Sequence, residues 1–358
     1  MDYALIGCGR IAVNHIKAAV NNKLHIAAVC DVAPENMEAL LAGFDLQSDT
    51  TIARYTDYQK MLAEHPEIQL ASIATDSGSH ARIALDCIGA GVNVIIEKPI
   101  AMSMADANEI VRRSEETGVK VCACHQNRFN LAVQQTRKAL EAGRFGRLSH
   151  GSIHVRWNRG HTYYDQAGWR GKWASDGGCL MNQCIHGIDL LRWMLGGEVD
   201  EVYGVTKRQF HDYLECEDLG MAVVKFKNGA VGTIEGTVNV YPKNLEETLY
   251  LFGETGTVKL GGTSTNNIDV WDFANEDAED TENKNLREAT SNVYGNGHTS
   301  LFADMMDAVE RDRAPYVDAR AGRDALEMVL AVYQSAATGK PVKLPLGGVA
   351  STDFAGRF

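Results

Sequence analysis

No apolar run in this chain approaches the roughly 20 residues a helix needs to cross a bilayer, and no lysine–arginine cluster offsets its acidic balance. The 358 residues carry a net charge of −12, so an electrostatic case for nucleic acid or an anionic membrane is absent. The cysteines form no C-x-x-C pair and show no zinc-ligand spacing. Cys8, Cys30, Cys87, Cys122, Cys124, Cys179, Cys184 and Cys216 are scattered, several of them inside apolar runs, where a buried free thiol is usual. No metal site is expected, and the expected compartment is reducing, hence cytoplasmic. No charged, cleavable leader is expected before the first strand. With 45% hydrophobic and 23% charged residues, the composition excludes a low-complexity chain, and the length suits two domains.

What is present begins with the strand Asp2–Ile6, which runs into Gly7-Cys8-Gly9-Arg10-Ile11-Ala12 and an amphipathic helix to about Val20. This is G-x-G-x-x-A between strand and helix. Gly7 makes the tight turn, Gly9 lets the backbone approach a pyrophosphate, and Ala12 allows close helix–strand packing. The helix N-terminus receives the phosphates. A second strand ends at Cys30-Asp31, about twenty residues on, where a carboxylate binds both ribose hydroxyls and repels a 2′-phosphate; NAD is thereby favoured over NADP. Asp31 could instead cap the segment after Pro34. Further alternation gives helices near 57–64, 79–90 and 103–117 and strands near 69–75, 92–96 and 119–124, a doubly wound parallel sheet. Thr75, Ser77 and His80 follow one strand end, and Glu97-Lys98-Pro99 follows another. Ligands bind at such carboxyl ends.

Past a helix at 131–142 the pattern changes. A long strand, 148–157, leads to a polar aromatic loop containing Arg159, Tyr163, Tyr164, Trp169, Arg170 and Trp173. Aromatic faces and arginine forks suit a sugar or nucleotide, although such residues can also pin a surface loop. A helix from Gly177-Gly178 to Trp193 is expected to carry Asn182, His186 and Asp189 on one face, with Gln183 beside them. Runs at 202–209, 219–226, 230–240, 248–252 and 257–260 read as strands of a large antiparallel sheet. Asn228-Gly229 signals a type I′ hairpin, and the acidic stretch 275–285 a solvated loop. Helices at 299–311 and 319–338 close the chain. One face of so broad a sheet needs a cover, and a homodimer or homotetramer through it is expected.

In this order, Gly7-x-Gly9-x-x-Ala12, Glu97-Lys98-Pro99, Asn127-Arg128-Phe129 and Gly177-Gly178 to His186-x-x-Asp189 resemble the Gfo/Idh/MocA oxidoreductases over essentially the full length. The resemblance implies a Rossmann domain over 1–124, an open antiparallel sheet over 125–358, and hydride transfer between nicotinamide and a sugar or cyclitol hydroxyl. The substrate half is similar to the WlbA-type UDP-N-acetylglucosaminuronate 3-dehydrogenases. That likeness rests on Tyr163–Trp173, Met181-Asn182-Gln183, Tyr241–Glu246 and Val293–His298. Two departures from the wider family are Asn182, where an aspartate is frequent, and Asp76, where proline is.

The resemblance implies Lys98 and His186 as the catalytic pair. NAD contacts are expected from Gly7, Gly9, Arg10, Ile11, Asp31, Thr75, Ser77, His80, Glu97, Lys98, Asn127, Trp169 and Arg170. Substrate contacts are expected from Lys98, Arg159, Tyr163, Tyr164, Asn182, Gln183 and His186. The expected reaction is oxidation of the C3 hydroxyl of UDP-N-acetylglucosaminuronate for cell-surface polysaccharide synthesis, with 2-oxoglutarate as a possible reoxidant of NADH. Alternatives are a free-sugar or inositol dehydrogenase, an NAD-dependent glycosidase and a non-catalytic NAD-binding regulator.

Overall fold

The structure, a computed structural model, describes residues 1–290 and 294–358; Val293 of the Val293–His298 stretch lies outside the described residues. Two compact units emerge, each discontinuous in sequence: Met1–Cys124 with His298–Arg323, and His125–Gly297 with Asp324–Phe358. A single cut between 124 and 125 does not describe them.

In the first unit, strands β1 Asp2–Ile6, β2 His25–Cys30, β3 Ala53–Tyr55, β4 Leu70–Ile73, β5 Asn93–Ile96 and β6 Val121–Ala123 alternate with helices α1 Ala12–Asn21, α2 Pro34–Ala42, α3 Tyr58–Glu64, α4 His80–Gly89 and α5 Met104–Thr117. The strands form one parallel sheet in the order β3-β2-β1-β4-β5-β6. Helices cover both faces of such a sheet, so its strands read as continuous apolar runs, and β4 is buried at every residue. The order reverses between β1 and β4, and this switch point is where ligands bind in open α/β sheets. Asp57 caps α3 and Ser103 caps α5 through backbone N–H groups, each cap contributing about 1 kcal/mol.

The second unit opens with α6 Leu131–Glu141 and the long β7 Leu148–Arg156. Short helices α7 His161–Tyr164, α8 Cys179–Asn182 and α9 Ile185–Met194 follow, then β8 Val199–Lys207, β9 Leu219–Phe226, β10 Val231–Thr237, β11 Glu246–Gly253, β12 Gly256–Gly261, β13 Asn267–Phe273 and α10 Asp280–Lys284. The chain ends with α11 Gly297–Glu310, α12 Ala319–Thr338 and β14 Val342–Lys343. Eight strands form a sheet in the order β13-β12-β11-β7-β10-β9-β8-β14. Along β9, buried and exposed residues alternate, so one face of the sheet is packed and the other is open.

Four details differ from the sequence expectation. The sheet is mixed, because β7 and β10 pair in parallel. The helix expected through Asn182 and His186 is broken: α8 ends at Asn182 and α9 starts at Ile185, so the two side chains share no helical face. The Asn228-Gly229 turn is not type I′. Gly229 N–H donates to Phe226 O at 3.0 Å and Phe226 N–H to Ala230 O at 3.0 Å, and Gly229, not Asn228, has positive φ, which is a three-residue loop with a glycine bulge. The acidic stretch contains α10, whose Asp280 accepts from Arg144 Nη1 at 2.7 Å and from Trp271 Nε1 at 2.7 Å.

Residues 298–323 join the first unit through specific contacts. Asn21 Nδ2 donates to Thr299 Oγ1 at 3.0 Å, Asn22 Nδ2 donates to Thr299 O at 2.9 Å, and Phe302 meets Tyr3 edge-on with ring centres 5.8 Å apart. Among the described residues no helix is long and apolar enough to cross a membrane.

Candidate active site

In the first unit, Gly7 leaves β1 with φ 92°, and a Cβ there would stand 2.6 Å from Ala74 C, so no other residue fits this turn. Its N–H donates to Cys30 O at 2.8 Å. Gly9 is exposed, and a Cβ on it would meet nothing within 4 Å. The backbone beside it is thus open to a pyrophosphate at the start of α1. Arg10 is exposed and Ile11 half-buried on the same turn. Asp31 Oδ2 accepts from Cys8 N–H at 2.7 Å, while Oδ1 accepts from Ala33 N–H at 2.9 Å and Asn36 Nδ2 at 3.1 Å. The carboxylate is therefore fixed against the glycine turn, half-buried, and does not cap α2, whose N-cap is Ala33. These features fit NAD.

At the end of β4, Thr75 Oγ1 and Ser79 Oγ lie 2.7 Å apart, and Ser77 is buried in the short turn before α4. His80 is buried too. Its Nδ1 lies 2.8 Å from Pro99 O and its Nε2 3.3 Å from Thr75 O, so its ring braces two backbone segments. Glu97 is also turned inward. Oε1 lies 3.0 Å from His15 Nε2 and 3.8 Å from His298 Nε2, and Oε2 accepts from Lys98 N–H at 3.2 Å. Burial alone would push this carboxyl up, but the two imidazoles hold it well below the ordinary carboxylate range. Lys98 is half-buried beside it, and its peptide bond to Pro99 is cis. The ligand atoms of His15, Glu97, Cys124 and His298 all lie within 4.8 Å of one another. This donor set could hold a metal ion, although hydrogen bonding from His15 already serves the carboxylate.

The second unit gathers the residues of the aromatic loop. Two guanidinium groups approach the Tyr163 ring, Arg170 at 3.9 Å and Arg159 at 5.1 Å from its centre, within cation–π range. Gln183 Nε2 donates to Tyr163 Oη and to Asn182 Oδ1, both at 2.8 Å, and Asn182 Nδ2 donates to the buried Asp176. Arg159 Nη1 donates to Asn158 O at 2.7 Å and Asn244 Oδ1 at 2.9 Å. Buried Arg159 Nε and Arg170 Nε and Nη1 have no hydrogen-bond partner among the described residues. Buried donors left unsatisfied cost about 1–3 kcal/mol each, more for charged groups, so this cluster is complete only with an acceptor. Trp169 is half-buried, with its ring 5.3 Å from the Arg170 guanidinium. Tyr164 is buried edge-on to Tyr163, and burial pushes its hydroxyl far up.

His186 is buried in the first turn of α9, edge-on to His125 with ring centres 5.6 Å apart. Asp189 belongs to a separate contact, accepting from Arg128 Nε at 2.7 Å and Nη2 at 2.6 Å. Burial pushes Asp189 up, but the guanidinium holds it below the ordinary range. Asn127 donates to Glu247 Oε1 at 3.3 Å, and burial pushes Glu247 up to about 8.

Several residues outside the expected set take part. His15 and His298 grip Glu97; His15 was visible as the polar member of the inward face Ala12, His15, Ile16, Ala19 of α1. His298 had no comparable signal. His211 joins Asp218 Oδ2 at 2.9 Å to Arg159 O at 2.6 Å, tying down the loop that carries Arg159.

Residues 1–125 match the model of the oxidoreductase family's NAD-binding Rossmann fold, and residues 137–344 match that of its C-terminal alpha/beta domain. Among curated proteins, the NAD⁺-dependent scyllo-inositol 2-dehydrogenase of Bacillus subtilis is 23% identical over 72% of this chain and 73% of its own length. The D-apiose dehydrogenase of Rhizobium rhizogenes is 25% identical over 95% and 96%. Among solved structures, the WlbA dehydrogenase of Bordetella pertussis, in complex with NADH and UDP-GlcNAcA, is 36% identical with TM-score 0.86, covering 96% of this chain and 98% of that one. The WlbA enzyme of Chromobacterium violaceum, with the same two ligands, is 35% identical with TM-score 0.87, covering 97% and 96%. The glycine turn, the aspartate fixed against it and these matches over both units lead to one conclusion: the chain belongs to the Gfo/Idh/MocA oxidoreductase family and is an NAD-dependent oxidoreductase acting on a CH–OH group.

Proposed function

We propose that this protein is an NAD-dependent sugar dehydrogenase that oxidises the C3 hydroxyl of UDP-N-acetylglucosaminuronate to a ketone. The observation that carries this reading is the Arg159–Tyr163–Arg170 stack with its unsatisfied buried guanidinium N–H groups. A carboxylate or diphosphate supplies the missing acceptors, whereas a neutral free sugar offers only hydroxyls. Likeness to two WlbA enzymes bound to UDP-GlcNAcA adds support.

Bound NAD⁺ supplies the hydride acceptor. Gly7, Gly9, Arg10 and Ile11 hold its pyrophosphate at the start of α1, Asp31 its ribose, and Thr75 and Ser77 line the neighbouring strand end. Lys98 and His186 share removal of the proton from O3, so that the alkoxide forms as hydride departs from C3. Such acid–base assistance contributes about 10²–10⁴-fold. Arg159 and Arg170 orient the anionic part of the substrate, Tyr163 and Tyr164 pack it, and Asn182 with Gln183 receives its hydroxyls.

Purified protein with NAD⁺ should produce NADH absorbance on addition of UDP-N-acetylglucosaminuronate, and little with UDP-N-acetylglucosamine or scyllo-inositol. A parallel reaction with 2-oxoglutarate tests whether the cofactor is recycled in place. Turnover of the inositol but not of the nucleotide sugar would replace this reading with a free-cyclitol dehydrogenase. Release of free sugar from a glycoside without net NADH would replace it with a glycosidase.

A further inference from the structure

The residues around Lys98 are held from both sides by buried side chains. Glu97 Oε2 accepts the Lys98 N–H at 3.2 Å, and His80 Nδ1 lies 2.8 Å from Pro99 O. Glu97 N–H continues the ladder to Ile73 O at 2.9 Å, so the tripeptide is anchored to β4 as well. The Glu97 carboxylate is itself set by two histidines from helices far apart in sequence. His15 on α1 contacts Oε1 at 3.0 Å, and His298 on α11 approaches the same oxygen at 3.8 Å. The second distance is an electrostatic contact rather than a hydrogen bond. The imidazoles brace one another edge-on at 5.6 Å, and His15 meets Phe302 edge-on at 5.7 Å. The other ring nitrogen of His15, Nδ1, is buried without a hydrogen-bond partner among the described residues.

A buried carboxylate has a steep desolvation cost and persists only where donors or charges compensate it. Four buried polar side chains, His15 of α1, Glu97 and Cys124 just past β5 and β6, and His298 of α11, are more than packing of a strand end needs, since apolar residues would fill the space at lower cost. What distinguishes the arrangement is its output: the second carboxylate oxygen holds the backbone of Lys98. A general base displaced by about 1 Å can lose about 10²-fold in rate.

We propose that His15 and His298 are positioning residues that act through Glu97 to fix Lys98 for proton removal, so that the two imidazoles and the carboxylate form one clamp on the catalytic lysine. This rests on the reading that Lys98 takes the substrate proton.

A double-mutant cycle with the full-length enzyme tests it. His298→Ala should lower kcat by about 10–100-fold while KM for NAD⁺ and for the sugar nucleotide moves by less than about twofold. His298→Gln, whose amide nitrogen reaches close to the Nε2 position, should restore most of that loss. In a Lys98→Met background, His298→Ala should change the residual rate by less than about twofold, because residues acting through one another are not additive. Equal fold losses in both backgrounds overturn the clamp while leaving the role of Lys98 intact. Near-normal turnover of Lys98→Met removes the role of Lys98 and the clamp with it. If His298→Ala does not fold, His15→Ala with His15→Gln runs the same cycle. Metal analysis of the purified enzyme is the second measurement: about one zinc per chain, lost in Cys124→Ala, would show that His15, Glu97, Cys124 and His298 are ligands and not a clamp.

Discussion

Arg159 and Arg170 stack on the same ring, but they differ in what is left over. Two acceptors already serve Arg159 Nη1, leaving Nε unsatisfied, whereas both Nε and Nη1 of Arg170 are buried without a partner. Hydrogen bonds to charged groups contribute about 1.5–3 kcal/mol, so Arg170→Ala should cost kcat/KM for UDP-N-acetylglucosaminuronate about 10–100-fold. Arg159→Ala should cost less. Lysine at position 170 should rescue poorly, since it keeps the charge and loses the planar fork and the stacking. The comparison that decides is made with UDP-N-acetylglucosamine: if Arg170→Ala slows both substrates equally, the guanidinium does not read the carboxylate. At this scale the sequence was legible wherever a residue type has one strong backbone reason, as with Gly7, or a fixed offset, as with Asp31. Side chains recruited from distant helices were not legible, because His298 meets Glu97 only after the chain has returned to the first unit.

The α8–α9 break is an element-scale feature with its own physical cause. Gly178 lies so close to Glu217 that a Cβ would stand 1.3 Å from Oε2, and Glu217 Oε1 accepts from Leu180 N–H at 2.8 Å and from Tyr333 Oη–H at 2.9 Å. This buried carboxyl anchors the first turn of α8, and Asp176 holds Asn182 at its other end. Neither anchor can be inferred from helical periodicity, which is why one continuous helix was expected from Gly177 to Trp193. The β-strands show the same limit. The nearly continuous apolar run of β9 was visible to its bounds, whereas Asn267–Phe273, short of such a run and pairing at the sheet edge, was not expected as a strand. Burial pushes Glu217 up to about 8. Between the ordinary glutamate value of 4.5 and about 8, the unfolded chain releases a proton that the folded chain retains, so this group lowers stability as pH rises. Glu217→Gln mimics the protonated form and removes that cost. Urea unfolding should find the variant more stable than wild type by on the order of 4 kcal/mol at pH 8, with the difference closing toward pH 4.5. A gap independent of pH would show that Glu217 does not titrate in this window.

For the whole molecule, the question left by the fold is what covers the open face of the eight-stranded sheet. Register places Tyr203 of β8 opposite Val223 of β9, and Val205 opposite Met221; Val231 of β10 lies opposite Lys225. Tyr203, Val205, Met221, Val223 and Val231 are 46%, 49%, 49%, 46% and 39% exposed, an apolar group spread over three adjacent strands. Ion pairs border it: Arg156 reaches Glu235 at 2.5 Å and Glu246 at 2.6 Å, and Lys225 reaches Glu201 at 2.6 Å. Contiguous apolar surface rimmed by charge marks an association surface. A two-fold axis lets one such face bury its own copy, and a stable interface takes about 800 Å² from each partner. We therefore propose a homodimer, or a tetramer built from it, through this face. Replacing Val223 with glutamate puts a charge into the middle of this apolar face and should shift the species seen by light scattering from a multiple of the 39.1 kDa chain toward the single chain. Far-UV circular dichroism should be unchanged, because the substituted side chain points away from the core. A wild-type protein that scatters as a monomer, or a Val223→Glu variant that keeps the wild-type mass, would leave this face to a different partner.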